Sequence, residues 1–516
     1  MQELPFVTVL VLNYNSLRDL PDSLQSLQQL DYPEDRHELL LVDNGSQDES
    51  LSWVREHYPQ IRIVETSANL GYAGGNNAGV RAAQGEWVAI LNPDTRVQPD
   101  WLRTLVRPAL GGGRVAVVAS RMLTWQGDAL DFGDAAINFM GWGCQPGYGS
   151  QRLEDYLAEK LLLFACGGAM LVHRDQFLDA GGFDEDYFAY FEDVDLGWRL
   201  WLLGHQVAYA PQATVFHRHH GGWEEVADAK RWLLAERNAL FTIVKNYSAE
   251  HLALILPAAL LLLFQRAYLD VSPDPALYGW VPASIAQPFG RRYYLGQTAQ
   301  LLRRRQFAEL VKRAGDELER RWRRCDQAPA AGAEPLARRP VAGAFRVPPL
   351  PAARLLAGRQ VWQAWDRLQA KRAAVQARRQ RTDDEIFPLF QWALRSNFED
   401  TRFIQAMGHV TDCFGLESVF TSAVEAEWEH VPDEADAIAS LSQAVIAKLL
   451  SLMDRAFALS GAPEEWFLVG EPQPPETMEL SEEAVAVLAR MNQILWSLPE
   501  RSPLGLLRWL EKEIPC

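Results

Sequence analysis

Glu192-Asp193-Val194-Asp195 sets three carboxylates within four residues. A carboxylate whose pKa is lifted by like-charged neighbours can act as a general base on an attacking hydroxyl. The same cluster also suits the N-terminus of the following helix, whose Leu196, Leu200 and Leu203 form an apolar stripe. Asn92-Pro93-Asp94 places a carboxylate straight after an apolar run, with an amide two residues earlier. That pair offers hard oxygen ligands to Mg²⁺ or Mn²⁺; it also reads as a turn fixed by Pro93. Thr214-Val215-Phe216-His217 ends a further apolar run in an imidazole, with Arg218-His219-His220 behind it. Histidine can complete a Mn²⁺ site begun by oxygen ligands, although a single histidine at a strand end is commonly structural. Asp43, in Val42-Asp43-Asn44-Gly45-Ser46, can accept from a base N–H or a ribose hydroxyl, and is equally good turn chemistry. Asn69 to Gly79 carries four glycines, read as a loop before a helix whose backbone N–H groups can approach a phosphate or sugar. A tight strand-to-helix turn is the plainer account of it.

The elements that must position these groups alternate short apolar runs with amphipathic stretches from Val7 to His220, the pattern of a parallel sheet covered by helices. Strands are expected at Val7–Leu12, Glu38–Val42, Ile61–Glu65, Trp87–Leu91, Val115–Ala119, Ala169–Val172 and Val207–Ala210, with helices at Leu17–Leu30 and Leu51–His57 among them. The first strand ends in Asn13-Tyr14-Asn15, the second at Asp43 and the fourth in Asn92-Pro93-Asp94. Polar residues after successive parallel strands gather at the carboxyl edge of the sheet, so a nucleotide site is expected there.

In order, the segments V-T-V-L-V-L-N-Y-N, V-D-N-G-S, N-L-G-Y-A-G-G-N-N-A-G, L-N-P-D-T, G-G-F-D-E-D-Y-F-A-Y-F-E-D-V-D-L-G-W-R and F-H resemble glycosyltransferase family 2. These are GT-A-fold enzymes, among them rhamnosyl-, galactofuranosyl- and N-acetylglucosaminyl-transferases, and the likeness to the rhamnosyltransferase branch covers roughly residues 6 to 247. It implies an α/β fold, a mixed, mostly parallel sheet flanked by helices, and inversion at the anomeric carbon of a nucleoside-diphosphate sugar, a dTDP-rhamnose or a UDP-sugar. On the resemblance Asp193 is the base, with Glu192 and Asp195 shaping the acceptor site. Asp43 contacts the donor base or ribose, with Asn13, Asn15, Asn69, Gly71, Asn77 and Asn92 around the donor. Asp94 holds the divalent metal, Mg²⁺ or Mn²⁺, with His217 as the late ligand, while Asn92 stands where the family often has another Asp. Gly167, Gly168 and Asp184 border the acceptor, a glycan or lipid-linked saccharide.

At 516 residues more than one core is expected. The divisions read from the sequence are a catalytic domain at 1–248, an apolar and basic helical region at 249–327, an Ala/Pro/Arg-rich linker at 328–358, and a basic helix followed by an acidic all-α domain at 359–516. A net charge of -17 argues against nucleic acid as a partner. It hides an asymmetry: Arg291 to Arg381 holds 22 Lys/Arg against 7 Asp/Glu, and Thr382 to Cys516 holds 8 against 24. Such blocks suit either pairing within the chain or a basic face for anionic lipid or a phosphorylated acceptor. The apolar run Leu252 to Phe264 is short of the ~20 residues that span a bilayer, which leaves a buried helix or peripheral membrane contact. Five widely spaced cysteines and a start without a secretion signal fit a reduced, cytoplasmic chain, at the inner face of the membrane if the peripheral contact holds. Two other functions fit an α/β nucleotide site. A nucleotidyltransferase that makes nucleotide sugars would want a basic loop after the first strand, which Asn13 to Leu17 lacks. A non-catalytic scaffold would act through the helical tail.

Overall fold

The computed structural model describes residues 4–111, 113–218, 228–271, 345–421, 432–468, 474–499 and 502–515. Val7–Asn13 (β1) is buried at every position, as a strand with helices over both faces must be. His37–Asp43 (β2), Arg62–Glu65 (β3), Trp87–Leu91 (β4), Thr95–Val97 (β5), Val115–Thr124 (β6) and Leu130–Phe132 (β7) follow, then Ala136–Ile137 (β8), Gly143–Cys144 (β9), Lys160–Leu162 (β10), Ala169–His173 (β11) and Gln206–His217 (β12). Ten of them make one sheet, ordered β10-β12-β6-β11-β4-β1-β2-β3, with β5 beside β12 and β7 beside β6. β1 is parallel to β2 and β4, β2 to β3 and β6 to β12, whereas β11 runs antiparallel to β4 and β6. The sheet is therefore mixed and of the GT-A type. All seven expected strands are present; β5 and β7 to β10, two or three residues each, are too short to show periodicity in the sequence.

Helices Leu20–Leu27 (α1), Ser50–His57 (α2), Gly71–Ala82 (α3), Trp101–Leu110 (α4), Arg174–Asp179 (α5) and Glu192–Leu202 (α6) cover the sheet. Most of the expected glycine loop at 69–79 is instead helical, since α3 begins at Gly71. Its glycines serve packing: a Cβ at Gly75 would lie 2.5 Å from Leu12 Cδ1, and one at Gly79 would lie 2.2 Å from Leu10 Cδ1. Bare backbone lets α3 sit directly on β1, which overrides glycine's poor helix propensity.

Asp228–Asn246 (α7) and Ala249–Val271 (α8) continue the chain. The apolar run at 252–264 thus belongs to a 23-residue helix with Pro257 inside it, longer than the sequence suggested. It is apolar all round, and nearly nine-tenths of its most apolar stretch is buried in the protein, as such a helix requires in water. Residues 272–344 lie outside the described residues, and with them most of the 249–327 region and of the expected linker. The end of that linker is ordered: Phe345–Val347 (β13) leads into Leu350–Gln363 (α9). α9 is rich in small buried residues, and a Cβ on Gly358 would sit 2.1 Å from Met453 Sδ, so the Ala/Gly content reflects close helix packing. The expected single basic helix is broken at Ala364, after which Trp365–Ala377 (α10) carries Arg367, Lys371 and Arg372 and ends before Arg378, Arg379 and Arg381.

Asp383–Ile386 (α11), Thr401–Cys413 (α12), Leu416–Thr421 (α13), Pro432–Ser460 (α14), Glu482–Trp496 (α15) and Pro503–Glu513 (α16) complete the helical region. It is not all-α, because Met478–Leu480 (β14) pairs antiparallel with β13. Nor does it stand apart from the sheet domain. Phe390 lies 4.9 Å from Trp198 of α6, Ile137 N–H donates to Phe390 O at 3.0 Å, and Phe139 N–H donates to Ala393 O at 2.8 Å.

Candidate active site

The parallel register sets Asn13 beside Asp43 at the carboxyl ends of β1 and β2. Asn13 Nδ2 donates to Asp43 Oδ1 at 2.8 Å, Ser46 Oγ at 3.1 Å and Ser50 Oγ at 2.8 Å. Asn15, at φ 51°, accepts from Gln47 N–H at 2.7 Å. Both asparagines thus fold the turn after β2 around Asp43. Asn44, a residue the sequence reading left unassigned, ties that turn to the next: its Nδ2 donates to Asn69 Oδ1 at 3.1 Å and to Gly71 O at 3.0 Å. Asn69 Oδ1 in turn accepts from Gly71 N–H at 2.8 Å. Asn77 lies elsewhere. Its buried amide exchanges hydrogen bonds with Phe183 (2.8 and 2.9 Å), so it fastens α3 to the 183–185 loop and has no free face toward a donor.

The expected metal pair does meet. β5 pairs with β12 in a register that sets Thr95 opposite His217, which brings His217 Nε2 to 3.2 Å from Asp94 Oδ2. His217 Nδ1 lies 2.7 Å from Asp131 Oδ2, on β7. Burial would depress the imidazole, but the Asp131 and Asp94 carboxylates overcome it and raise its pKa to about 10. Asp131 gave no signal in the sequence because it is a lone carboxylate in a three-residue strand. The imidazole is shared between two carboxylates, Nδ1 toward Asp131 and Nε2 toward Asp94; a cation would take the place of the Nε2 proton while Asp131 keeps Nδ1 oriented. Two cis ligands ~2.1 Å from one cation stand about 3 Å apart, so the 3.2 Å between Asp94 and His217 fits Mg²⁺ or Mn²⁺. Among the described residues no group of three or more His, Cys, Asp and Glu is placed to hold a metal by itself. Water and a diphosphate would have to complete the shell. Asn92 is anchored through its backbone, with N–H donating to Gly168 O at 3.0 Å and O accepting from Thr95 Oγ1 at 2.6 Å.

Gly167 and Gly168 join this edge to α6. Gly167 N–H donates to Asp193 Oδ2 at 2.9 Å, and Val194 N–H donates to Asp193 Oδ1 at 2.8 Å. Tyr72 Oη donates to Gly167 O from below, and a Cβ at Gly167 would lie 2.9 Å from that hydroxyl. Asp193 is half-buried; burial lifts its pKa and the Gly167 and Val194 N–H groups only partly pull it back. Glu192 is buried with Oε2 unpartnered, and burial followed by the charge of Asp193 pushes it well above the usual carboxylate range. Burial thus lifts both neighbouring carboxyls, Glu192 further because no backbone N–H of Gly167 or Val194 reaches it.

Two residues expected at the acceptor site lie inside the protein instead. Asp195 is fully buried, paired with Arg199 Nε at 2.8 Å and Lys245 Nζ at 2.9 Å, because its helical position turns it inward. Asp184 is held by Lys245 at 2.6 Å and Lys371 at 2.5 Å. Neither carboxylate is left to meet an acceptor.

Residues 8–178 match the model of glycosyl transferase family 2. The chain is 32% identical over 204 residues to an N-acetylglucosaminyl-diphospho-decaprenol L-rhamnosyltransferase of Mycobacterium tuberculosis, covering 35% of this chain and 66% of that one. It is 25% identical over 220 residues to rhamnosyltransferase WbbL of Escherichia coli, covering 39% and 81%. It is 26% identical over 304 residues to a beta-monoglucosyldiacylglycerol synthase of Synechocystis, covering 52% and 60%. The chain thus spans just under two thirds of the length of the mycobacterial relative. A crystal structure of GalNAc-T7 with UDP, GalNAc and Mn²⁺ aligns with TM-score 0.42 at 15% identity, over 50% of this chain and 51% of that one.

Proposed function

We propose, for a chain that belongs to glycosyl transferase family 2 through its residues 8–178, that it moves a sugar from a nucleoside-diphosphate donor to an acceptor hydroxyl with inversion. The observation that carries the reading is one edge of one sheet. There the Asp193 carboxylate, oriented by Gly167 N–H, shares the Gly167-Gly168 turn with the backbone of Asn92, two residues from the Asp94–His217 pair.

In this account Asp43, steadied by Asn13, receives the nucleoside, and the turn at Asn44, Asn69 and Gly71 closes round it. Asp94 and His217, the latter oriented by Asp131, would hold a divalent cation, which would supply positive charge to the departing diphosphate. Asp193 takes the proton of the acceptor hydroxyl as that oxygen bonds to the anomeric carbon and the bond from carbon to phosphate oxygen breaks. The new glycoside carries the opposite anomeric configuration, and the nucleoside diphosphate leaves with both electrons of the broken bond.

The names of the rhamnosyltransferase relatives favour a deoxyhexose such as rhamnose, from dTDP or another nucleoside diphosphate. The name of the mycobacterial relative also favours a lipid-linked saccharide acceptor. The test is a panel of nucleotide sugars with Mn²⁺, with and without a polyprenyl-diphosphate saccharide, read by mass spectrometry. One donor should be consumed, and glycoside should form when the acceptor is present. No consumption of any donor, against a positive-control transferase, would overturn the reading.

A further inference from the structure

The backbone between Phe188 and Phe191 is strained. Phe188, Tyr190 and Phe191 have φ of 62°, 71° and 64°, a region that bulky residues with a Cβ avoid, and Phe191 is the residue before α6 and Asp193. Such a loop persists only where its surroundings over-determine it. Here they come from α7 and from the helical region beyond it. Buried Asn238 directs its one amide group at three carbonyls of the loop: Tyr187 O at 3.0 Å, Ala189 O at 2.8 Å and Tyr190 O at 2.8 Å. Arg237 Nη2 takes Asp186 O and Tyr187 O, both at 3.0 Å, while its Nη1 reaches Gln360 of α9 at 3.2 Å. Lys371 of α10 holds Asp184 and Asp186, and Arg367 pairs with Asp186 at 2.6 Å. The far end of α6 is capped from the same region, with Arg381 donating to Gly204 O at 2.9 Å and His205 O at 2.8 Å and Gln380 N–H donating to Leu202 O at 2.7 Å.

We infer that α7 and the helical region after it are a clamp that sets the position of Asp193, with Asn238 as the main positioning residue and Lys371 as its outer support. Neither touches a reacting atom; each acts through the loop that aims α6. The inference rests on the proposed role of Asp193 for its kinetic consequence, but not for its structural one. It also gives three charges of the basic segment a function inside the molecule: Arg367 and Lys371 meet loop carboxylates before α6, and Arg381 meets carbonyls after it.

The test uses the full chain as Asn238→Ala, Asn238→Asp and Lys371→Met, checked for folding by circular dichroism. Asn238→Asp keeps the shape and removes the donors. Amide exchange over 184–195 in the unliganded protein should rise about tenfold or more in each variant, with β1 and β4 unchanged. Turnover of the donor identified by the panel should fall on the order of 10- to 100-fold, while affinity for UDP or dTDP with Mn²⁺ stays within about twofold. Unaltered exchange over 184–195 in the folded variants would overturn the clamp, as would Asn238→Asp matching the wild type in turnover. If the Asn238 variants do not fold, Lys371→Met, whose side chain is one-third exposed, decides by the same readouts. A wild type that consumes no donor would defeat the function proposed for the site, and the exchange measurement would still decide the clamp.

Discussion

An imidazole offers one nitrogen to a cation only when the other carries its proton, so the 2.7 Å contact with Asp131 decides which nitrogen of His217 faces Asp94. Asp131→Asn keeps the size of the side chain and removes the charge. It should weaken Mn²⁺-dependent binding of UDP or dTDP by on the order of 10- to 100-fold in calorimetry, and unchanged affinity would remove Asp131 from this role. At the residue scale the candidate residues stand out in the sequence for two reasons: Asp43, Asp94 and His217 come at or just after the ends of apolar runs, and Asp193 sits in a cluster of three carboxylates. Asp131 does not, for a physical reason. It acts on a partner 86 positions away, and nothing in its immediate surroundings differs from an ordinary strand. Asp184 and Asp195 show the converse: their spacing looks catalytic, and only the buried lysine between them reveals that they hold structure together.

At the scale of elements the glycines of α3 are instructive. A run such as Gly71-Tyr72-Ala73-Gly74-Gly75 reads as a loop by propensity, yet it forms a helix because tertiary contact with β1 and β2 outweighs propensity. A Cβ at position 79 would come within 2.2 Å of Leu10 Cδ1 and 2.7 Å of Val42 Cγ2. Gly79→Ala should therefore lower stability by about 1–3 kcal/mol through overpacking, although alanine is the better helix former. A chemical-denaturation midpoint equal to or above the wild type would contradict this account of α3. The two-residue strands β8 and β9 escape sequence patterning for the opposite reason, since they are too short to have any period; their order comes from segment 390–397 laid alongside.

At the scale of the molecule, several charges of the basic stretch are paired in space among the described residues. Burial would lift Asp184, but Lys245 and Lys371 hold it below the usual carboxylate range, and His251 and Arg379 do the same for buried Asp383. A carboxyl depressed by folding contributes stability that is whole above its unfolded value of ~4 and is lost as pH falls toward its folded one. Wild type should thus melt higher than Lys371→Met at pH 7, and the gap should close as pH drops below about 4. A gap constant down to pH 3 would contradict the ionic docking of α10. The same docking joins the two halves of the chain at α6, so the central claim about the molecule is the role of the residue that α6 presents. Turnover and donor-product binding should be measured side by side in wild type and Asp193→Asn, with Mn²⁺ and the donor identified by the panel. Loss of a general base predicts a fall in kcat of about 10²- to 10⁴-fold, with Mn²⁺-dependent nucleoside-diphosphate affinity within about twofold of wild type. Near-normal kcat in Asp193→Asn would contradict the account.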